Sequence, residues 1–241
     1  MNKKDDEISI SERSITSHDD EYYNDEILQG SILQFLSYDK IIVIRPHDGI
    51  KFIGIPANKY DIFDDSNKKI GYMKEQSSRF DRYAWAQARP FTVNVYDNHD
   101  QLLLKITRSR TLLKSNVRIY YNHPLRGMIY IGRSKYSGEI MKRHYELSTT
   151  TNEDEDDEND HLFAKIPIKK KTDTKDDVYS LIGFDEHNLA TIKRIWNNWK
   201  QEILTTKNVY ELDFKNIAKL QKIIMIGTTI SIDFDFFSNS G

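Results

Sequence analysis

The chain has 241 residues, of which 38% are hydrophobic and 30% charged, with a formal net charge of −2. This length fits one large domain or two small ones, and the low apolar share predicts that part of the chain is not packed. The absence of cysteine excludes disulfides, thiolate metal sites, a cysteine nucleophile and S-palmitoylation.

Charge is distributed unevenly along the sequence. Residues 1–26 hold nine acidic and three basic residues, and the run from Asn152 to His161 adds seven acids, which leaves 32 basic against 21 acidic residues elsewhere. We predict an acidic disordered tail over 1–26, one domain over 27–241 and an acidic loop insert over 149–161. The basic body indicates an anionic partner, either lipid head groups or nucleic acid. Alternatively, tail and loop balance the charge for solubility.

Short apolar runs separated by polar turns follow the tail and predict β-strands, first at Ile41–Arg45 and Ile50–Ile55. A strand–turn–strand unit with an aspartate before each turn then recurs over Asn58–Glu75, Phe91–Arg108 and Val178–Ile195. Further strands are predicted at Val117–Tyr121, Met128–Lys135, His144–Ser148, Leu162–Ile168 and Val209–Phe214. Ten to twelve short antiparallel strands predict a mainly β fold, either a sandwich or a closed barrel.

Two segments have the pattern of helices. The first lies near residues 77–88, where a serine can cap the start and Arg89-Pro90 ends the pattern. The second is the C-terminal segment, whose uncharged apolar run covers only the ten residues 223–232, whereas a membrane span needs roughly 20. We therefore predict a hydrophobic helix inside a β-barrel rather than a membrane anchor. Its central residues are Ile226, Ile230, Ile232, Phe234, Phe236 and Phe237.

The sequence contains no Gly-rich phosphate loop, no His-Glu-x-x-His and no Gly-x-Ser-x-Gly, so we do not predict an enzyme. Two basic groups are the candidate functional residues. They are Arg108, Arg110, Lys114 and Arg118, and Lys169, Lys170 and Lys171. Each cation near an anionic bilayer contributes about 1 kcal/mol, so together these groups predict a membrane-binding face. The alternative is a pair of solvated hairpin tips.

Four stretches resemble, in the same order, motifs of the phospholipid scramblase family. They are NKYDIFDDSNKKIGYMKE, ARPFTVNVYDNHDQLLLKITR, WNNWKQEILTTKNVYEL and IMIGTTISIDFDFFS. The likeness is closest to a fungal branch that includes mitochondrial-inheritance proteins. It implies a tubby-like closed antiparallel barrel of about twelve strands around a hydrophobic C-terminal helix.

The resemblance also implies a function: ATP-independent, bidirectional movement of phospholipids between leaflets. It further implies an anionic phospholipid membrane as the partner, a possible oligomer, and an intracellular membrane location, either the mitochondrion or the inner face of the plasma membrane. The alternative is a phosphoinositide-binding barrel of the tubby type without transport activity. A nucleic-acid partner has no firm support, because a run of three lysines is too short.

The resemblance is weakest at the family's acidic calcium segment. The corresponding residues here are Thr205, Thr206, Asn208 and Asp213. Calcium requires several carboxylate or carbonyl oxygens, and this segment supplies few. The sequence therefore predicts at most a degraded calcium site and no certain cofactor.

Overall fold

Alternation of buried and exposed side chains produces the strands of this protein, as in Asn116–His123, where every second residue is buried. The computed structural model describes residues 27–46, 57–76, 90–109, 115–138, 143–150, 160–168, 177–195, 206–214 and 217–237. Within these ranges there are twelve strands: β1 (Lys40–Pro46), β2 (Lys59–Asp64), β3 (Lys69–Glu75), β4 (Phe91–Asp97), β5 (Leu102–Arg108), β6 (Asn116–His123), β7 (Gly127–Gly138), β8 (Arg143–Thr150), β9 (Asp160–Pro167), β10 (Asp177–Ile182), β11 (Asn188–Ile195) and β12 (Thr206–Asp213).

The twelve strands form one closed antiparallel barrel. Each strand pairs with the next in sequence, and β1 also pairs with β12, from Lys40 opposite Asp213 to Pro46 opposite Thr206. Closure removes the free edges that an open sheet would have, and the shortest pairing is that of β9 with β10, where Lys165 lies opposite Ile182. The predicted mainly β fold with a closed barrel of about twelve antiparallel strands is confirmed.

Tight turns follow the aspartates of the repeated unit. Asp97 accepts hydrogen bonds from the backbone amides of His99 and Gln101, and Asp64 accepts one from the amide of Lys68. Asn67, Asp100 and Glu186 adopt positive φ angles in the three turns. These short polar side chains therefore close the turns in the way that the repeated sequence pattern predicts.

Two α-helices lie in the described ranges, α1 (Ser31–Leu36) and α2 (Lys219–Ile232). α2 occupies the barrel interior and continues as a wider π-helical turn over Asp233–Phe237. Ile226, Ile230, Ile232 and Phe234 are completely buried, which confirms the predicted central helix. Phe234, Phe236 and Phe237 belong to the π-helical turn rather than to α2, and Phe236 is only half-buried.

Some predicted elements differ from the structure or lie beyond its described residues. α1 was not predicted. The helix predicted near 77–88, the strand predicted at Ile50–Ile55 and the tail over 1–26 all lie outside the described residues. β8 extends to Thr150 and β9 begins at Asp160, so the strands include both ends of the loop predicted over 149–161.

Lys222 joins the two helices at the barrel end where the tight turns lie. Its ammonium group donates hydrogen bonds to the backbone oxygens of Leu36 and Tyr38, at 3.0 and 2.9 Å. Only 7% of this residue is exposed, and burial lowers the pKa of its ammonium group. The lysine thus satisfies carbonyls at the C-terminal end of α1 that the helix itself leaves free.

Candidate functional site

A cluster of polar residues closes the opposite end of the barrel, where α2 ends and β1, β5 and β11 end. We call this cluster the polar rim; it consists of Arg45, Tyr60, Arg108, Tyr145, Arg194, Asn208, Tyr210, Asp233 and Asp235. The two aspartates come from the π-helical turn and all other members come from strands. The end of the apolar central helix is therefore held by charges and hydrogen bonds.

Asp233 is completely buried and accepts four hydrogen bonds. One carboxylate oxygen accepts from Arg45 at 2.5 Å and from the Tyr60 hydroxyl at 2.7 Å. The other accepts from the Asn208 amide at 2.6 Å and the Tyr210 hydroxyl at 2.8 Å. A buried carboxylate with a cation and three further donors meets the conditions under which a buried charge is tolerated.

This environment fixes the protonation of its members. Burial and the neighbouring Asp233 carboxylate raise the pKa of the Tyr60 and Tyr210 hydroxyls well above its ordinary value. Burial by itself lowers the pKa of Arg45, but the attraction of Asp233 outweighs it and the pKa is raised. The tyrosines consequently remain neutral donors, and the arginine remains a cation at any physiological pH.

Asp235 forms the second half of the polar rim. It accepts hydrogen bonds from Arg108, from the Tyr145 hydroxyl at 2.6 Å and from the Ser231 hydroxyl at 3.1 Å. The Arg108 guanidinium also lies 4.7 Å from the centre of the Phe91 ring. Burial and Asp235 raise the pKa of Tyr145 well above its ordinary value, so this tyrosine is a permanent donor as well.

Arg194 is bound into the polar rim by side chains of the strands rather than by Asp233 or Asp235. Its guanidinium donates to Asn208 at 3.1 and 2.8 Å and to Asp177 at 3.1 Å. The same group lies over the ring of Phe237, 3.7 Å from its centre, where the ring's electron density attracts a cation. Arg194 thereby holds the last described residue of the chain.

The structure corrects the role predicted for Arg108. Its side chain is 3% exposed and ion-paired with Asp235, so it does not face a membrane. Arg118 lies half-buried on the outer face of β6, opposite Arg133 of β7. The other predicted basic residues, Arg110, Lys114, Lys169, Lys170 and Lys171, lie outside the described residues. The strands on either side of them, β5, β6, β9 and β10, meet the barrel end that carries the polar rim.

The residues of the predicted calcium segment do not converge. Thr205 lies outside the described residues, and Thr206 and Asp213 lie at opposite ends of β12. Asn208 is buried, with its amide bonded to Asp233 and Arg194. In the described part of the chain, no group of three or more histidine, aspartate or glutamate residues is placed to hold a metal ion.

Sequence reasoning missed most of the polar rim. Asp233 only marks the end of the uncharged apolar run over 223–232, and Asp235, Arg45 and Arg194 were not singled out as site residues. One signal was present in the sequence. An arginine at the end of an apolar strand, two or four residues after buried positions, lies on the same face as they do, as Arg108 does with Leu104 and Ile106. The partners themselves are up to 188 residues apart and cannot be paired from one sequence.

The architecture defines a class of protein: a closed, twelve-stranded antiparallel barrel around an internal C-terminal helix whose end is held by buried ion pairs. Within this class, the model of the Scramblase family matches residues 25–239. The chain therefore belongs to the Scramblase family.

Comparison with curated proteins gives a distant fungal relative. "Altered inheritance rate of mitochondria protein 25" from Saccharomyces cerevisiae is 22% identical over 224 residues, which cover 78% of this chain and 66% of that protein. The chain thus spans slightly less than two thirds of that relative's length. No solved structure matches.

None of the helices in the described ranges combines the length and the apolarity of a membrane span.

Proposed function

We propose that this protein moves phospholipids between the two leaflets of a membrane, in both directions and without ATP. The observation that carries the proposal is the match to the Scramblase family over residues 25–239. The activity requires no covalent chemistry, and the proposal therefore names no catalytic residue. Its physical task is to lower the barrier that hydrocarbon presents to a polar head group.

The proposed partner is an anionic phospholipid membrane. Arg110, Lys114 and Lys169–Lys171 belong to segments whose flanking strands end at the polar rim. Five cations near an anionic surface would contribute about 1 kcal/mol each. The excess of basic residues outside the two acidic segments supports the same partner.

We further propose an intracellular membrane as the site of action, and the mitochondrion as the first organelle to examine. The support is the name of the yeast relative, which concerns the inheritance of mitochondria. Because the chain covers only 66% of that relative, localisation of the full-length protein in cells, with the 1–26 segment present and deleted, is the appropriate check.

The test of transport is a dithionite assay on reconstituted vesicles that contain a fluorescent phospholipid. Dithionite quenches only the outer leaflet unless lipids cross, so the expected result is quenching beyond the outer-leaflet half. The expected rate is the same with calcium and with a chelator, because the calcium segment is degraded. Quenching that stops at half, with the protein shown to be bound, would support the alternative of a lipid-binding barrel without transport.

A matched pair of variants connects this assay to the basic segments. Lys169→Gln, Lys170→Gln and Lys171→Gln together should reduce vesicle binding and, with it, the rate of quenching. Lys40→Gln, Lys165→Gln and Lys193→Gln change the net charge equally but lie on β1, β9 and β11, and should leave both quantities near those of the wild type.

A further inference from the structure

Three lysines lie at the same level on the outer wall of the barrel, with the buried Asn94 between the second and the third. Lys59 of β2 lies opposite Lys74 of β3, Lys74 lies opposite Asn94 of β4, and Asn94 lies opposite Lys105 of β5. We call Lys59, Lys74 and Lys105 the lysine row. Lys59 and Lys74 are exposed, and Lys105 is half-buried. The row extends over three interstrand spacings of about 4.8 Å, roughly 14 Å in all.

The lysine row concentrates positive charge on one part of the barrel wall. Like charges directly opposite one another on neighbouring strands are destabilising, and Lys59 and Lys74 are such a pair. Among the described residues, no carboxylate forms an ion pair with any of the three lysines. A concentration of positive charge without a carboxylate partner among the described residues is suited to an anionic partner.

A pair of tyrosines adjoins the lysine row. Tyr72 and Tyr96 lie opposite each other on β3 and β4, and their rings stack with centres 5.0 Å apart. The Lys74 ammonium lies 4.8 Å from the centre of the Tyr72 ring and 6.0 Å from that of Tyr96. Tyrosine rings are amphipathic and are enriched where a membrane meets water.

Two of the described carboxylates lie beside this surface, and both are bound to other groups. Asp61 forms an ion pair with Lys69 at 2.6 Å, and Asp100 accepts a hydrogen bond from the Tyr72 hydroxyl at 2.6 Å. Neither bond involves the lysine row. Among the described residues, the row thus has no carboxylate as a direct partner, and its positive potential can attract a phosphate group.

We propose that the outer wall of β2–β5, with the lysine row and the tyrosine pair, is the surface by which the protein docks on an anionic phospholipid bilayer. The inference rests on the proposed function, for which it names the contact surface. Charge complementarity selects the partner: compact ammonium groups on flexible stems bind phosphates as point charges. The lysine row covers three of the twelve interstrand steps, which is a quarter of the barrel circumference. The wall therefore curves away from a flat bilayer, and the flexible lysine stems can bridge the gap.

The test is co-sedimentation with vesicles of phosphatidylcholine and phosphatidylserine in equal amounts. The variant carries Lys59→Gln, Lys74→Gln and Lys105→Gln, and the control carries Lys40→Gln, Lys165→Gln and Lys193→Gln, with the same net charge. The expected loss of binding is about fivefold per lysine and roughly 100-fold for the lysine row. The control should lose much less. Thermal unfolding of both variants checks that the barrel is intact.

Unchanged binding of the lysine-row variant would overturn the inference, and so would an equal loss of binding in the control. Wild-type binding to vesicles of phosphatidylcholine alone at the same strength would overturn it too, since such binding needs no cations. A different result would contradict the proposed function and leave the docking surface intact. In that case dithionite quenching stops at the outer-leaflet half, while the wild type still binds vesicles and its binding still depends on the lysine row.

Discussion

Asp233 shows how one residue decides whether an apolar helix can end inside a barrel. A carboxylate without partners in such a place would be prohibitively costly, and the four donors around it come from β1, β2 and β12. Removing one partner of a buried ion pair destabilises a protein far more than replacing both partners by apolar residues, since the remaining charge is left buried without a partner.

Replacement of Asp233 by asparagine tests this reasoning. The substitution keeps the shape but removes the charge that Arg45 needs, so the free energy of unfolding should fall by about 3–5 kcal/mol. Urea denaturation followed by fluorescence measures the change. Asp65→Asn is the control, because Asp65 is exposed in the turn between β2 and β3; there the loss should stay within about 0.5 kcal/mol. A loss of similar size in both variants would contradict the special role of Asp233.

The buried tyrosines predict a loss of stability in alkali. Burial and the adjacent aspartates raise the pKa of Tyr60, Tyr145 and Tyr210 in the folded state, so above pH about 10 the unfolded chain binds fewer protons than the folded one. The stability that the three protonated tyrosines contribute is complete below pH about 10, the pKa in the unfolded chain. It is lost as the pH rises from there towards the raised pKa of the folded state, by up to about 1.4 kcal/mol per pH unit for each tyrosine.

Denaturation curves between pH 8 and 11 measure this dependence, and Tyr60→Phe supplies the comparison. The variant has one ionisable hydroxyl fewer, so its unfolding free energy should fall less steeply above pH about 10. Burial lowers the pKa of Lys222, which acts in the opposite direction but is common to both proteins. Parallel curves for wild type and variant would show that Tyr60 does not contribute.

Among the elements, α2 depends on a close approach to the barrel wall at Gly227. A Cβ atom there would lie 2.5 Å from Cγ1 of Ile119 on β6, which is closer than packed atoms tolerate. Gly227→Ala should therefore destabilise the protein by about 1–2 kcal/mol, even though alanine favours helix by about 1 kcal/mol.

A double-mutant cycle with Ile119→Ala separates the two effects of Gly227→Ala. With the isoleucine side chain shortened, the added methyl group should be neutral or stabilising, and urea denaturation of the four proteins gives the coupling free energy. Additive losses would contradict a direct clash between the two side chains.

The contact between α1 and α2 gives a prediction about local stability. Lys222→Met keeps the volume but removes the donors to the backbone oxygens of Leu36 and Tyr38. The amides of α1 should then exchange with deuterium faster than in the wild type, while those of β6 and β7 should not. Lys219→Met, at the start of the same helix, is the control. Equal exchange in α1 for both variants would show that Lys222 does not hold it.

The sequence allowed most elements to be predicted, for identifiable reasons. Aspartates before turns, with alternating apolar residues on either side, locate the hairpins, and an apolar segment without a polar face indicates a helix in a core. α1 was missed because six residues, SILQFL, show too little of a helical period. Arg108 was assigned to a membrane surface because its neighbours in sequence are basic, whereas its phase with Ile106 directs it into the barrel. Pairings such as Arg45 with Asp233 depend on closure of the whole barrel.

At the scale of the whole molecule, α2 is held at both ends. Lys222 bonds it to backbone oxygens near one end of the barrel, and the polar rim bonds Asp233 and Asp235 at the other. Between these points the helix fills the interior and has no exposed face. Closure of the strands, burial of the helix and formation of the polar rim thus depend on one another, which favours a single cooperative unfolding transition.

This mutual dependence predicts that the central helix stays in the barrel when the protein binds a membrane. Release of α2 would expose the apolar interior and leave Arg45 and Arg108 without their carboxylates, Asp233 and Asp235, and binding through the outer wall does not require it. On anionic vesicles, the amides of residues 223–232 should keep the slow deuterium exchange that they have in solution, whereas those of β2–β5 should exchange more slowly. Asp235→Asn is the comparison, because it weakens the bonds that hold the end of α2 in the polar rim. In this variant, the amides of residues 223–232 should exchange faster than in the wild type, both in solution and on vesicles. If instead the wild-type helix loses its protection only on vesicles, the bilayer opens the polar rim, and the helix itself would then take part in the proposed lipid movement.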